Sequence, residues 1–72
     1  MSTKNLDKLL FARRMHSILR EQNLTQAELS EILEIRQSQI SNLASGKSLP
    51  SYITLFKLHE KFGIEYAEFF EG

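Results

Sequence analysis

The sequence contains no cysteine, no tryptophan, one proline and three glycines in 72 residues. Without cysteine there is no disulfide framework and no thiolate metal site, and a reducing cytoplasm is the expected compartment. The longest apolar run is the four residues 9–12, which is too short for a transmembrane helix or for a signal peptide. A chain of this length forms one domain, residues 1–72, which buries about 60% of its unfolded surface.

The formal net charge is zero, because nine basic and nine acidic residues cancel, and the pI is about 6.7. Nucleic-acid-binding domains are usually basic, so the sum alone argues against that partner. The distribution is uneven, however: all three charges between residues 35 and 59 are positive, whereas residues 60–72 carry four glutamates and one lysine. One surface can therefore be cationic while the far end is acidic.

Helical periodicity accounts for the first third of the chain. Apolar residues recur at intervals of three and four over residues 6–22, which predicts an amphipathic helix with Ser2, Thr3 or Asn5 as its cap. Asn23 follows this stretch and tolerates the left-handed conformation in which helices end. The chain therefore begins with one helix of about four turns.

The stretch from Thr25 to Gly46 predicts two short helices that meet at a tight corner. Thr25 and Glu28 have the spacing of a capping box, so a helix begins directly after Thr25. Ser30 is small on the side that faces the second helix, as close packing of such a pair requires. The apolar positions are Ala27, Leu29, Ile32 and Leu33 in the first helix, and Ile40 and Leu43 in the second.

Two more helices are predicted towards the C-terminus, which makes five in all. Pro50 and Ser51 signal a helix start and Gly63 signals its end. The apolar face of this fourth helix comprises Ile53, Leu55, Phe56, Leu58 and Phe62. The last nine residues, IEYAEFFEG, predict a short terminal helix. The expected fold is an all-α, compact five-helix bundle.

The stretch 24–50 resembles the helix-turn-helix of the Cro/repressor (XRE-like) family, whose pattern reads roughly L-T-Q-x-x-L-A-x-x-x-G-[IV]-x-x-x-x-[IV]-S-x-[LIW]-E-x-G-x-x-x-P. Ten residues match it in order and without a gap: Leu24, Thr25, Gln26, Leu29, Ile35, Ile40, Ser41, Leu43, Gly46 and Pro50. Three positions depart from it, with Ser30 for alanine, Glu34 for glycine and Ala44 for glutamate. The resemblance implies a lambda repressor-like DNA-binding domain with its helix-turn-helix at about residues 25–45.

The resemblance also implies which side chains contact the bases. In such domains the second helix of the pair lies in the major groove. By position this recognition helix begins near Arg36, which either reads a guanine or holds a phosphate, while Gln39 faces the backbone or the next base step. The side chains implied for base readout are Gln37, Ser38, Ser41 and Asn42. Amides pair with adenine, and hydroxyls donate or accept.

Contacts to the DNA backbone are implied in the same way. Gln26 lies at the N-terminus of the first helix of the pair, where free N–H groups attract a phosphate. Ser45 and Lys47 match the phosphate-facing loop after the recognition helix. On the first helix of the chain, Arg14 or its neighbour Arg13 takes this role.

So few cations predict modest affinity for each subunit, and therefore a homodimer. The terminal stretch is also too aromatic for so small a core, so some of its side chains are expected at a subunit interface. The interface candidates are Tyr52, Phe56, Tyr66, Phe69 and Phe70. A two-fold dimer places two recognition helices roughly 34 Å apart and requires a near-palindromic operator.

Other functions fit the residues less well. His16 and His59 lie in different helices without a neighbouring nucleophile, phosphate loop or metal-ligand spacing, so no enzyme, metal, cofactor or small-molecule ligand is predicted. The main alternative is an interaction module, antitoxin-like or adaptor, that keeps the fold with weak or no DNA binding. Neutral net charge and the acidic end favour that alternative.

Several regulatory roles remain open within DNA binding. The resemblance admits a phage repressor or Cro-like regulator, a controller protein of a restriction-modification system, or an antitoxin that represses its own operon. A short chain without a ligand-sensing domain fits a controller or Cro-like protein best, although the N-terminal part of a longer repressor has the same pattern. Each of these is prokaryotic or phage-encoded, cytoplasmic, and on the nucleoid when bound.

Overall fold

The computed structural model describes residues 6–70, and this part of the chain is all-helical. Its elements are α1 (Lys8–Glu21), α2 (Gln26–Leu33), α3 (Gln37–Ala44), α4 (Tyr52–Phe62) and a C-terminal 3-10 helix (Tyr66–Phe69). No strand occurs between residues 6 and 70, and none of these helices is long and apolar enough to cross a bilayer. The all-α prediction and the helix-turn-helix are therefore confirmed.

The fifth helix differs from the prediction, because it is a single 3-10 turn rather than an α-helix. Its amides bond three residues back, from Glu68 N–H to the Glu65 carbonyl at 2.9 Å and from Phe70 N–H to the Ala67 carbonyl at 3.3 Å. A four-residue segment closes only one turn, and the tighter 3-10 geometry is common at that length. The turn also returns Phe69 to the core. Residues 6–70 thus form a four-helix domain with a 3-10 turn at their C-terminal end.

Helix α1 begins later than predicted and has a different cap. The carboxylate of Asp7 accepts a hydrogen bond from the Leu10 N–H at 2.9 Å, and aspartate is among the strongest N-cap residues. The predicted caps Ser2, Thr3 and Asn5 lie outside the described residues. Asp7 stands just after the first apolar residue of the stripe, so the periodicity placed the helix start too early.

Each α-helix is followed by one residue with positive φ. These are Asn23 (56°), Glu34 (57°), Gly46 (78°) and Gly63 (68°), so the predicted stops at Asn23 and Gly63 are confirmed. After α1, α2 and α3 the next amide also bonds the carbonyl five residues back, which is a Schellman motif. Glu34 adopts this conformation without the freedom of glycine, at a cost of about 1 kcal/mol.

The core forms where all the helices meet. Helix α3 packs against both α1 and α2, and α4 packs against α2 and the 3-10 helix. The largest fully buried side chains are Phe11, Met15, Leu29, Leu33, Ile40, Leu58 and Phe69. Each contributes about 1.5–3 kcal/mol through burial. Because members of this cluster come from both helices of the helix-turn-helix, the core fixes the angle between them.

The buried face of α4 is narrower than predicted. Leu55 and Leu58 are buried, whereas Ile53 and Phe56 remain 60% and 43% exposed. Thr54 takes a buried position instead, because its hydroxyl lies 3.1 Å from the Ser51 hydroxyl. That hydrogen bond satisfies a polar group that would otherwise be costly to bury. Ile53 and Phe56 therefore form a second, outward-facing apolar stripe.

Candidate nucleic-acid interface

The N-terminus of α2 is closed by the predicted capping box. Glu28 N–H donates to the Thr25 hydroxyl at 3.1 Å, and Thr25 N–H donates to the Glu28 carboxylate at 2.9 Å. The amides of Gln26 and Ala27 have no acceptor within the helix, as at any helix start. With the positive end of the helix dipole they form a site suited to an anion, and the Gln26 side chain lies beside it half-buried.

Helix α3 has one buried and one exposed face. Ile40 is fully buried, and Leu43 and Ala44 are almost so. The exposed side chains are Gln37, Ser38, Ser41 and Asn42, the four implied for base readout. The structure therefore brings them together on a single polar surface over two turns, with an apolar anchor behind it.

The N-terminus of α3 is capped by the helix itself. The exposed residue Arg36 is the N-cap, and its N–H donates to the Gln39 side-chain oxygen at 3.2 Å. This internal bond occupies one lone pair of the Gln39 oxygen and leaves its NH2 group to donate to a partner. Glutamine three residues after the N-cap is the capping-box position, so Arg36 and Gln39 carried this signal in the sequence.

The loop after α3 is held against the helix end. Lys47 N–H donates to the Asn42 carbonyl at 2.9 Å, and the Ser45 hydroxyl donates to the same carbonyl at 3.2 Å. Gly46 has φ +78°, and a Cβ built on it would lie 3.1 Å from Cδ2 of Leu9. The exposed side chains of Ser45 and Lys47 are thus fixed at the C-terminal end of α3, close to α1.

The two adjacent arginines of α1 lie on different sides of the helix. Arg14 lines a groove with Ser17, Glu21 and Glu68, next to the 3-10 helix. Arg13 is three residues before His16, whose ring bonds the last carbonyl of α3. Residues three apart share a helix face, so Arg13 lies towards α3 and Arg14 does not.

Both histidines are hydrogen-bonded to backbone carbonyls. Nε2 of His16 lies 2.9 Å from the Ala44 oxygen, and Nδ1 of His59 lies 2.7 Å from the Ile64 oxygen. The His59 ring also stacks on Tyr66, with centroids 4.5 Å apart. Within residues 6–70 no three potential ligand residues come together to hold a metal ion. Each histidine thus has a structural partner.

An exposed apolar surface, here called the α4 patch, comprises Leu49, Tyr52, Ile53 and Phe56. These side chains are 48%, 73%, 60% and 43% exposed, respectively. Phe56 also lines a groove with Ile32 of α2, which extends the patch. The patch includes Tyr52 and Phe56 of the predicted interface, and Leu49 and Ile53 are additions. Ile53 lies three residues before Phe56 on α4, and this helical spacing was the sequence signal for it, whereas Leu49 lies in the loop before α4.

The three remaining aromatic candidates differ in exposure. Tyr66 and Phe70 are half-buried against the core. Partial burial raises the pKa of the Tyr66 phenol above its usual value, and Tyr52 and Glu60 add to the rise, which places Tyr66 beside the patch. Phe69 is fully buried, with its ring 5.8 Å from that of Phe11. Its assignment to an interface is therefore corrected, because the chain's own core covers it.

Comparison with known proteins agrees with this geometry. The helix-turn-helix family model matches residues 15–69, from the middle of α1 through the 3-10 helix. No curated protein and no solved structure matches the chain. The matching family is one of DNA-binding regulatory domains and not of enzymes. The chain therefore belongs to the helix-turn-helix family, as a DNA-binding transcription regulator of the Cro/repressor (XRE-like) type.

Proposed function

We propose that this protein is a homodimeric regulator that binds a near-palindromic DNA operator through the exposed face of α3. The observation that carries the proposal is the polar surface of Gln37, Ser38, Ser41 and Asn42 over a buried apolar anchor. A helix of this kind fits the major groove, where it can read base edges. Gln37 and Ser38, in the first turn, make the principal base contacts.

Phosphate contacts surround this surface. The free amides and side chain of Gln26 at the start of α2 bind one phosphate, and Lys47 binds another. The Ser45 hydroxyl has one proton to donate, so it joins Lys47 there by exchanging its bond to the Asn42 carbonyl for one to the phosphate. On α1 we assign the phosphate contact to Arg13 rather than to Arg14, since Arg14 faces the groove with Glu21 and Glu68. These contacts set the register of α3 on the duplex.

The α4 patch supports dimerisation. It follows directly on the loop after α3, because Leu49 shares a groove with Gln39 and Asn42. Two copies that pair through this patch would bury its aromatic side chains and hold two α3 helices on one face of the duplex. The recognition helices would then lie about one turn apart, roughly 34 Å, and require related half-sites.

The salt dependence of binding tests this proposal against the interaction module, which the neutral net charge favours. Arg13, Arg36 and Lys47 supply three cations per subunit, so a dimer neutralises about six phosphates. We expect the logarithm of the association constant to fall with the logarithm of salt concentration with a slope of about −5. A folded protein that binds no duplex at low salt would favour the interaction module.

Three regulatory roles fit a small domain that binds DNA as a dimer. They are a Cro-like regulator, a restriction-modification controller and an autoregulatory antitoxin, in a prokaryotic or phage setting. In each of them dimerisation would make operator occupancy rise steeply with protein concentration.

A further inference from the structure

The C-terminal end of α3 has a hydrogen-bond partner for every terminal carbonyl. Three of them accept from backbone amides of the loop that follows. The Ser41 carbonyl accepts from Ser45 N–H, the Asn42 carbonyl accepts from Lys47 N–H, and the Leu43 carbonyl accepts from Gly46 N–H. The last four carbonyls of a helix have no intrahelical partner and need other donors. The fourth carbonyl, that of Ala44, accepts from His16 in α1.

The His16 bond differs from the other side-chain hydrogen bonds between residues 6 and 70. It joins positions 28 apart in sequence, whereas the side-chain bonds that cap the helices span three residues. A carbonyl only accepts, so Nε2 carries the proton and donates it over 2.9 Å. This side-chain hydrogen bond therefore joins the end of the recognition helix to a different helix.

We propose that His16 is a positioning residue that sets the orientation of α3 on the DNA. The inference rests on the proposed function, since it concerns how the base-reading face is presented. Ala44 stands where the XRE-like pattern has glutamate, so this chain has no charged side chain at that position. The end of the recognition helix is instead tied to α1 through its backbone.

The packing around the bond explains why one hydrogen bond matters here. Helix α3 has only eight residues, and Ile40 anchors its middle in the core. Near the end of α3, Gly46 approaches Leu9 and Ala12 of α1, and Ala44 accepts the bond from His16. Ala44 and Gly46 themselves offer almost no side chain to interlock with α1, so the hydrogen bond restrains rotation of α3 about its anchor. A shift of about 1 Å at the base-reading residues would weaken specific contacts.

Because the His16 side chain is exposed, its substitution should change the orientation of α3 without lowering the stability of the fold. His16→Phe keeps a planar ring and removes the donor, whereas His16→Gln restores an N–H donor of similar reach. Gln22→Phe is the matched control, because it adds the same ring at the exposed, neutral C-cap position of α1. The probes are the duplex that the unaltered protein enriches from a random library and a scrambled duplex of equal composition.

We expect His16→Phe to weaken binding of the enriched duplex by about three- to tenfold, the usual effect of one hydrogen bond. Binding of the scrambled duplex should change by less than about twofold, since phosphate contacts dominate there. His16→Gln should recover most of the loss, and Gln22→Phe should bind like the unaltered protein. Equal losses on both duplexes, or no recovery with His16→Gln, would overturn the proposal.

NMR of the free protein tests the same bond without DNA. In His16→Phe the Ala44 carbonyl carbon should shift, and the amides of Ser45 and Gly46 should exchange faster while those of α4 do not. Unchanged Ala44 shifts would refute the hydrogen bond itself. If the unaltered protein enriches no duplex, the proposed function fails instead, and the NMR result still decides whether His16 restrains α3.

Discussion

Single residues of the proposed interface divide into those that read bases and those that hold the DNA backbone. The division follows from where each side chain is attached. Gln37 projects from the first turn of α3, whereas Lys47 belongs to a loop fixed to the far end of that helix. A base contact distinguishes sequences and a phosphate contact does not, so substitution should separate the two roles.

Gln37→Ala should weaken binding to the selected operator by about 1–3 kcal/mol and relax the preference at one base pair. The side chain is exposed, so folding should be unaffected. Affinities for operators with single base-pair changes measure this, with Gln22→Ala as the control for loss of an exposed amide. Unchanged preference at every base pair would show that Gln37 does not read the sequence.

Lys47→Ala should weaken binding to all duplexes about equally and reduce the salt slope by about one per subunit. The backbone N–H of residue 47 remains, so the bond to the Asn42 carbonyl and the helix end are preserved. A salt titration on specific and scrambled duplexes provides the measurement. Loss confined to one sequence would instead indicate a base contact.

At the scale of secondary-structure elements, local signals predicted most of what forms. The capping box at Thr25 and Glu28 acts within four residues, and the buried positions Ile40 and Leu43 follow from helical spacing. The corner between α2 and α3 formed with Glu34 in the left-handed conformation, even without glycine. Burial at both sides of the corner outweighs a local cost of about 1 kcal/mol.

Glu34→Gly should therefore raise the free energy of unfolding by about 0.5–1 kcal/mol, since glycine adopts positive φ without a steric penalty. Glu31→Gly is the matched control, because it removes the same charge within α2 and should lower stability by about 1 kcal/mol. Urea denaturation of the two variants measures both values. A decrease for Glu34→Gly would show that its side chain stabilises the corner.

Contacts between distant parts of the chain were not predictable from local patterns. Helical periodicity indicates which residues face inward, but it does not indicate which parts of the chain the core includes. Phe69 was therefore expected at a subunit interface, whereas the structure buries it against Phe11. The bond from His16 to Ala44 likewise depends on how α1 packs against α3. Local physics therefore predicted the helix-turn-helix, while tertiary packing decided the details around it.

For the whole molecule, the distribution of charge over the surface matters more than the net charge. A neutral chain presents exposed Arg13, Arg36 and Lys47 around α3 and carries four of its nine acidic residues at positions 60–72. The α4 patch leaves apolar area uncovered that a second subunit can bury. The proposed dimerisation would then double the cations and the base contacts on one duplex.

Ile53→Glu should shift the protein to monomers, because it places a charge in the middle of the α4 patch. Ile53 is 60% exposed, so the monomer should remain folded. Operator affinity should fall by about 100-fold or more with the loss of bivalent binding. Sedimentation and circular dichroism measure assembly and folding, with Gln22→Glu as the control for an added charge. A dimer that persists in Ile53→Glu would place the interface elsewhere.

Selection from a random duplex library, with the size of the bound complex determined in solution, tests the central claim most directly. We predict an enriched near-palindrome whose half-sites lie about one helical turn apart and which binds two chains. Enrichment of no sequence at low salt, by a protein shown to be folded, would contradict sequence-specific DNA binding.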